Sequence, residues 1–240
     1  MSDSYRTSLT DADIMSLEEA LQTTFTNKEL LQSAVTHRSF LNEHRETAWE
    51  HNERLEFLGD AVLELVVTDY LFQTYPDKPE GELTAIRAAL VNTYSLADAA
   101  TALQVNDYLL MSRGEAKDSG RARQYILANT FESLIGAMYM DQGYAAAKEF
   151  IAAQLFAKTD TIVSQRLWQD PKSRFQELSQ ERESVTPIYE TITQSGPDHD
   201  RVFTVGVFLR QEKVAEGVGR SKQEAEQAAA KQAIIVRGWT

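Results

Sequence analysis

The segment HNERLEFLGD, residues 51–60, sets Glu53, Glu56 and Asp60 into a stretch that otherwise has the make-up of a helix core. At roughly 100° per residue, offsets of three and seven bring these acids onto one helical face. Glu64 joins the same stripe one turn on. Leu55, Leu58 and Val62 take the opposite side, and Phe57, Leu63, Leu65, Val66 and Val67 fill in around the rest, so the pattern predicts a helix that is apolar nearly all round and therefore buried. Four aligned carboxylates at the edge of a core repel one another, and burial raises their affinity for protons unless a cation intervenes. That cation is either an arginine, such as Arg54 or Arg87, or a divalent metal.

A second segment repeats the oddity. ILANTFESLIGAMYMD, residues 126–141, carries Asn129 and Glu132, spaced by three, on a helix of Ile, Leu, Phe and Met. Two such helices packed together would bring Glu56, Asp60, Asn129 and Glu132 into one place. Four hard oxygen donors suit Mg²⁺, with Mn²⁺ as a substitute, rather than zinc. The chain has no cysteine, which excludes both a disulfide framework and a thiolate zinc site. His37, His44 and His51 recur at intervals of seven, which is not the spacing of a helical metal pair, and are read as structural or hydrogen-bonding residues.

At 240 residues the chain can form one or two domains around a real core. Its start, MSDSYRTSLTDADI, has no apolar signal core, and no later apolar run is long enough to span a bilayer, so the expectation is a soluble, cytoplasmic protein without a membrane partner. The net charge of -12 argues at first against a nucleic-acid partner. Its distribution changes the inference. Residues 1–170 hold 14 Lys and Arg against 26 Asp and Glu, whereas residues 171–240 hold 10 of each. The whole acid excess lies in the first part, and the last seventy residues can present a basic face if their charges are segregated.

The first part reads as helix after helix. SLEEALQTTF offers a capping box of Ser16 and Glu19, NKELLQSAVTHRSF follows, and the acid-bearing helix runs from about Asn52 to Tyr75 before Pro76 ends it. GELTAIRAALVNTYSLADAATAL gives one or two helices. MSRGEAKDSGRARQ reads as a polar loop, and an amphipathic helix covers about Ala145 to Val163. After a boundary at Asp170-Pro171 the pattern changes. SRFQELSQER is a short helix starting near Lys172 or Ser173, PIYETITQ and RVFTVGVFLR alternate in the manner of strands about the turn SGPDHD, KVAEGVG is a third strand, and Ser221 caps a closing helix. Helix, three-stranded meander and helix make a small α+β unit.

These residues carry a family resemblance. HNERLEFLGDAVLELVV resembles the signature of the ribonuclease III family, and AVTHRSFLNEH before it and ILANTFESLIGAMYMD after it are similar to that family's endonuclease domain. DPKSRFQELSQ, PIYETITQSGPDHDRVFTVGVFL and GVGRSKQEAEQAAAKQA resemble its double-stranded RNA-binding domain. The resemblance implies an all-α endonuclease domain over 13–165, followed by an α-β-β-β-α RNA-binding domain over 171–239. It implies a homodimeric, metal-dependent endoribonuclease that hydrolyses both strands of double-stranded RNA and processes structured precursors such as ribosomal RNA.

Carried over by position, the resemblance makes Glu56, Asp60, Asn129 and Glu132 the metal site, with Asp60 and Glu132 closest to catalysis. Glu53 supports that site, and Glu80 is an acid near the cleavage valley of the dimer. Glu64 has no role in the family pattern and is read as the structural partner of an Arg. Gln176, Glu177 and His199 fall at minor-groove positions, and Lys222 at the start of the last helix meets phosphates. Two departures stand out: Asn129, where the family more often has Asp, and Gln223, where a second basic residue is usual and Arg220 is the compensating cation. Because an acidic domain must still approach a polyanion, Arg113, Arg121 and Arg123 are assigned phosphate contacts. The competing function is a non-cleaving duplex-RNA-binding protein with a relic nuclease domain. Such a relic would have lost several of these acids, yet only position 129 departs from carboxylate.

Overall fold

Thr10, not Ser16, starts the first helix, α1 (Asp11–Leu21). The Thr10 hydroxyl accepts from the Asp13 amide, and the Asp13 carboxylate accepts from the Thr10 amide at 2.9 Å. A capping box satisfies two orphan donors at once, and the one formed by Thr10 and Asp13 leaves Ser16 inside the helix. The computed structural model describes residues 6–197 and 201–239. Its contacts divide the chain into two units after Arg166.

The first unit is helical. After α1 come α2 (Lys28–Ala34), α3 (Arg38–Glu43), α4 (Glu53–Thr74), α5 (Glu80–Leu90), α6 (Thr93–Ala102), α7 (Arg113–Lys117), α8 (Arg121–Gln142), α9 (Tyr144–Leu155) and α10 (Thr159–Ser164). The segment from residue 81 to 103 forms two helices because Asn92 caps the second, accepting from the Ser95 amide at 3.0 Å. The polar loop expected at residues 111–124 instead contains α7, capped by Ser112, and the first turn of α8. The last expected helix breaks at a 3-10 turn, Phe156–Lys158, between α9 and α10.

The centre of this unit is α8, which buries Ile126, Phe131, Leu134, Ile135 and Met138 on several sides. α4 packs on it through Val62, Leu63, Val66 and Val67. α4 is not buried all round, contrary to what its composition suggests. Phe57 is 81% exposed, Leu65 58% and Phe72 72%. With Ala61 and Thr68 these residues recur at helical spacing, forming a second stripe beside the acids. The three histidines are structural: His37 Nδ1 accepts from the Ser39 amide to cap α3, the His44 ring stacks on Phe40, and His51 Nδ1 accepts from the Glu53 amide.

The second unit follows the order read from the sequence: α11 (Pro171–Glu183), β1 (Ile188–Ser195), β2 (Val202–Leu209), β3 (Glu212–Gly219) and α12 (Lys222–Arg237). Pro171 opens α11 and Asp170 caps it, accepting from the Ser173 amide at 3.0 Å. The strands form one antiparallel sheet in the order β1-β2-β3, with Val205 opposite Thr191 on one side and Gly217 on the other. Val207, Leu209, Val214 and Ala215 pack against Phe175, Ala229, Ala230, Ala233 and Trp239 to make the core.

Candidate active site

Gly59 of α4 and Gly136 of α8 bring two acid-bearing faces together. A Cβ on Gly59 would lie 1.8 Å from the Glu132 carbonyl oxygen, and one on Gly136 would lie 2.1 Å from the Leu55 carbonyl oxygen. No side chain other than hydrogen fits at either position, so the two backbones touch where Glu56 and Asp60 on one helix meet Asn129 and Glu132 on the other. Ser133 strengthens the crossing. Its hydroxyl donates to the Asn129 carbonyl at 2.7 Å and lies 3.3 Å from the carbonyl of Asn52. Asn52 is itself buried at the start of α4 and accepts from the Glu56 amide at 2.8 Å. The sequence reading missed Asn52 and Ser133, for a polar residue before or within an apolar helix does not reveal its partner.

The arginines near the stripe pair with its two end acids, Glu53 and Glu64, or with Glu50 outside it. Arg87 of α5 places its Nε 2.9 Å from Glu64 and donates to the Thr68 hydroxyl at 2.7 Å, which gives Glu64 its structural partner. Arg54 lies 3.8 Å from Glu50. Arg38 reaches Glu53 at 3.3 Å, and the His51 ring stands 3.8 Å from the same acid. Among the described residues no Lys or Arg is ion-paired with Glu56, Asp60 or Glu132.

The electrostatic result is concentrated on Glu132. Burial, then the charges of Asp60, Glu56 and Glu64, push its carboxyl up to about 7. Glu56 is also raised, first by burial and then by Glu53 and Asp60, while a hydrogen bond from Asn129 pulls the other way. Asn129 is thus close enough to Glu56 to oppose that rise, and its carboxamide oxygen is a further donor atom of the set. Among the described residues no group of three or more His, Asp and Glu side chains is arranged as a finished metal cage. The donor chemistry nevertheless fits a hard divalent cation: half-buried Glu56 and Glu132, exposed Asp60 and the half-buried carboxamide of Asn129, with no Lys or Arg ion-paired to these carboxylates among the described residues.

Glu80 lies apart from these charges. It opens α5, accepts from the Thr84 hydroxyl at 3.0 Å, and lines a cavity of about 400 Å³ with Leu71, Phe72, Leu83 and Arg87. Among the arginines assigned to phosphate, Arg121 is exposed at the start of α8, and the Arg113 amide donates to Glu43 at 3.3 Å with its side chain on the surface. Arg123 is spent differently. It donates to the carbonyls of Asp118, Glu115 and Ala116 at 2.9–3.1 Å and to the Met111 sulfur. Half-buried, it holds the end of α7 in place and has little left to offer a phosphate.

In the second unit Gln176 and Glu177 are exposed on α11, and Lys222 and Arg220 are exposed at the start of α12. Ser221 caps that helix by accepting from the Glu224 amide at 3.1 Å, and Glu224 reaches back to the Arg220 amide at 2.9 Å. His199 falls outside the described residues.

The chain thus joins a helical unit, with acids gathered where two helices touch, to an α-β-β-β-α unit. Residues 27–159 match the family model described as Ribonuclease-III-like, and residues 171–236 match the double-stranded RNA binding motif. The chain is 44% identical over 222 residues to Ribonuclease 3 of Carboxydothermus hydrogenoformans, covering 92% of this chain and 94% of that protein. It is 44% identical over 210 residues to Ribonuclease 3 of Streptococcus pneumoniae strain CGSP14, covering 88% and 90%. A solved nuclease domain of ribonuclease III from Campylobacter jejuni, described for structural flexibility in a region involved in dimer formation, aligns with TM-score 0.53 and 41% identity over 59% of this chain and 97% of its own. The chain belongs to the ribonuclease III family.

Proposed function

We propose that the protein is a metal-dependent endoribonuclease that acts as a homodimer on both strands of duplex RNA and processes structured precursors, ribosomal RNA among them, in the cytoplasm. The observation that carries the metal dependence is the charge balance at the helix crossing: Glu56, Asp60 and Glu132 repel one another with no Lys or Arg paired to them among the described residues, and Glu132 keeps its proton to about pH 7.

Glu56, Asp60, Asn129 and Glu132 would hold the cation, Mg²⁺ by the hardness of their oxygens and Mn²⁺ as a substitute. Bound there, a divalent ion supplies Lewis-acid stabilisation of a phosphodiester and lowers the pKa of an attacking water. The side chains prepare for that role. Glu132 gives up its carboxyl proton to become a ligand, Asn129 orients Glu56 through its amide, and Arg38 fixes Glu53 beside them. Asp60 and Glu132, on opposite helices, are the residues set closest to the chemistry. Exposed Gln176, Glu177, Lys222 and Arg220 supply contacts to the minor groove and its phosphates, with Arg113 and Arg121 as phosphate contacts of the first unit.

The homodimer rests on α4. Phe57, Leu65 and Phe72 make an exposed apolar stripe beside a cavity lined by Leu71, Phe72 and Leu83, a surface that suits a second copy of this chain. A two-fold pair would place one acid site toward each strand and bring Glu80 to the valley between them. The test is a long perfect RNA duplex incubated with the protein and Mg²⁺ beside an EDTA control. Cleavage in the first tube alone supports the reading, and intact duplex in both would favour a duplex-binding protein that does not cut.

A further inference from the structure

Tyr125 stands on α8 one turn before Asn129 and two turns before Glu132. Spacings of four and seven put it on the helix face that carries those two residues, about 6 Å along the axis from Asn129. Arg121 continues the same face by one more turn. The face changes character along its length, from half-buried Glu132 and Asn129 to exposed Tyr125 and Arg121. Tyr125 is 48% exposed. Among the described residues no hydrogen bond engages its hydroxyl.

The chemistry of a duplex narrows what this side chain can meet. Stacked bases offer no free face to its ring, and the phosphates are the business of cations such as Arg121. What an A-form helix displays across its wide minor groove is a row of ribose 2′-hydroxyls. A phenol both donates and accepts a hydrogen bond, as does a ribose hydroxyl. The ring is also stiff, with few rotatable bonds, so fixing it in a complex costs less entropy than fixing a Lys or Gln would.

We propose that Tyr125 is a substrate-positioning residue, hydrogen-bonding a ribose 2′-hydroxyl next to the scissile phosphodiester while Arg121 meets a neighbouring phosphate. It sets the register of the strand against the acids of α4 and α8 and makes that one nucleotide a point where RNA is told from DNA. The inference rests on the reading of the chain as a metal-dependent nuclease of duplex RNA.

The test uses the full chain and its Tyr125→Phe variant, which keeps the ring and removes the hydroxyl. Single-turnover cleavage in Mg²⁺ is measured on a duplex RNA and on copies carrying one 2′-deoxy substitution at each nucleotide flanking the cut. The variant should cleave the all-RNA duplex about five- to tenfold more slowly, the loss of one hydrogen bond. At one flanking position the 2′-deoxy substitution should slow the unaltered protein by a similar factor and the variant no further, the signature of a shared contact. Equal rates for the two proteins on all-RNA duplex, or losses that multiply at every position, would overturn the role of Tyr125 and leave the nuclease reading standing. Failure of the unaltered protein to cut any duplex would overturn both.

Discussion

Gly59 and Glu132 touch through the backbone, the site of a Cβ on the first lying 1.8 Å from the carbonyl oxygen of the second. The contact couples packing to chemistry, because Glu56 and Asp60 flank Gly59 on α4 while Glu132 and Asn129 share a face of α8. Gly59→Ala must push the helices apart, since the obstructing atom is backbone and cannot rotate away. The substitution should destabilise the first unit by about 1–3 kcal/mol. It should also lower cleavage at temperatures where the unit is still folded. Thermal melting followed by circular dichroism, with cleavage assayed well below the transition, separates the two effects; a variant as stable and as active as the unaltered protein would mean the crossing is looser than described.

How much of this was legible in the sequence depends on the distance over which each feature is determined. The acid register on α4 follows from helical period alone, the strands of the second unit follow from alternation, and the cap of its last helix follows from Ser221, whereas Asp170, the cap of α11, reads there only as a boundary. The helix crossing does not follow, because nothing in the spacing of Gly59 and Gly136 says that they face each other. Composition also misjudged α4: Phe57 and Leu65 look like core, yet both are exposed. Arg123 misled for a related reason. A cation in a polar loop invites assignment to phosphate, but here α7 ends in the same segment and its orphan carbonyls claim the guanidinium.

Glu132→Ala should abolish cleavage while leaving duplex binding nearly intact. Affinity for a polyanion comes largely from cations and minor-groove contacts elsewhere, whereas Glu132 would serve the divalent ion. Gel-shift affinity in Ca²⁺ and cleavage in Mg²⁺ are the paired measurements. Retained cleavage removes Glu132 from the site.

Glu132 also ties stability to pH. A carboxyl raised to about 7 holds its proton more tightly in the folded protein than in the unfolded chain. The resulting stability is complete below the ordinary carboxylate range and is lost as pH rises through about 7. In EDTA the first unit should therefore melt at a lower temperature at pH 8 than at pH 5, and Glu132→Gln should flatten that dependence. Added Mg²⁺ should raise the melting temperature most above pH 7, where the carboxylate is free to bind it. A Glu132→Gln profile that falls as steeply as the original would assign the effect to other groups.

Phe57→Asp tests the apolar stripe of α4. Phe57 is 81% exposed, so replacing it removes little from the core of its own chain. In a dimer the same change buries a charge against the partner, which should weaken association by tenfold or more. Under the proposed homodimer, light scattering over a dilution series should show a folded monomer at concentrations where the unaltered protein still has twice that mass. An unchanged mass would place the interface elsewhere.

Asn129 sets two electrostatic effects against each other. Its amide opposes the upward shift of the Glu56 carboxyl, so Asn129→Asp removes that influence and adds a fifth negative charge beside Glu53, Glu56, Asp60 and Glu132. In the cation-free protein that change should raise the Glu56 carboxyl further and lower stability near neutral pH. With the cation present the balance reverses, because a divalent charge interacts with the new carboxylate more strongly than any single neighbouring acid does. If the added charge is worth on the order of 1.4 kcal/mol to binding, half-maximal cleavage should need about tenfold less Mg²⁺. The variant should thus be less stable in EDTA yet reach full activity at lower Mg²⁺. A Mg²⁺ titration of cleavage rate decides the matter: an unchanged midpoint would place Asn129 outside the coupled shell, and a higher one would show that its amide donor to Glu56 matters more than the charge gained.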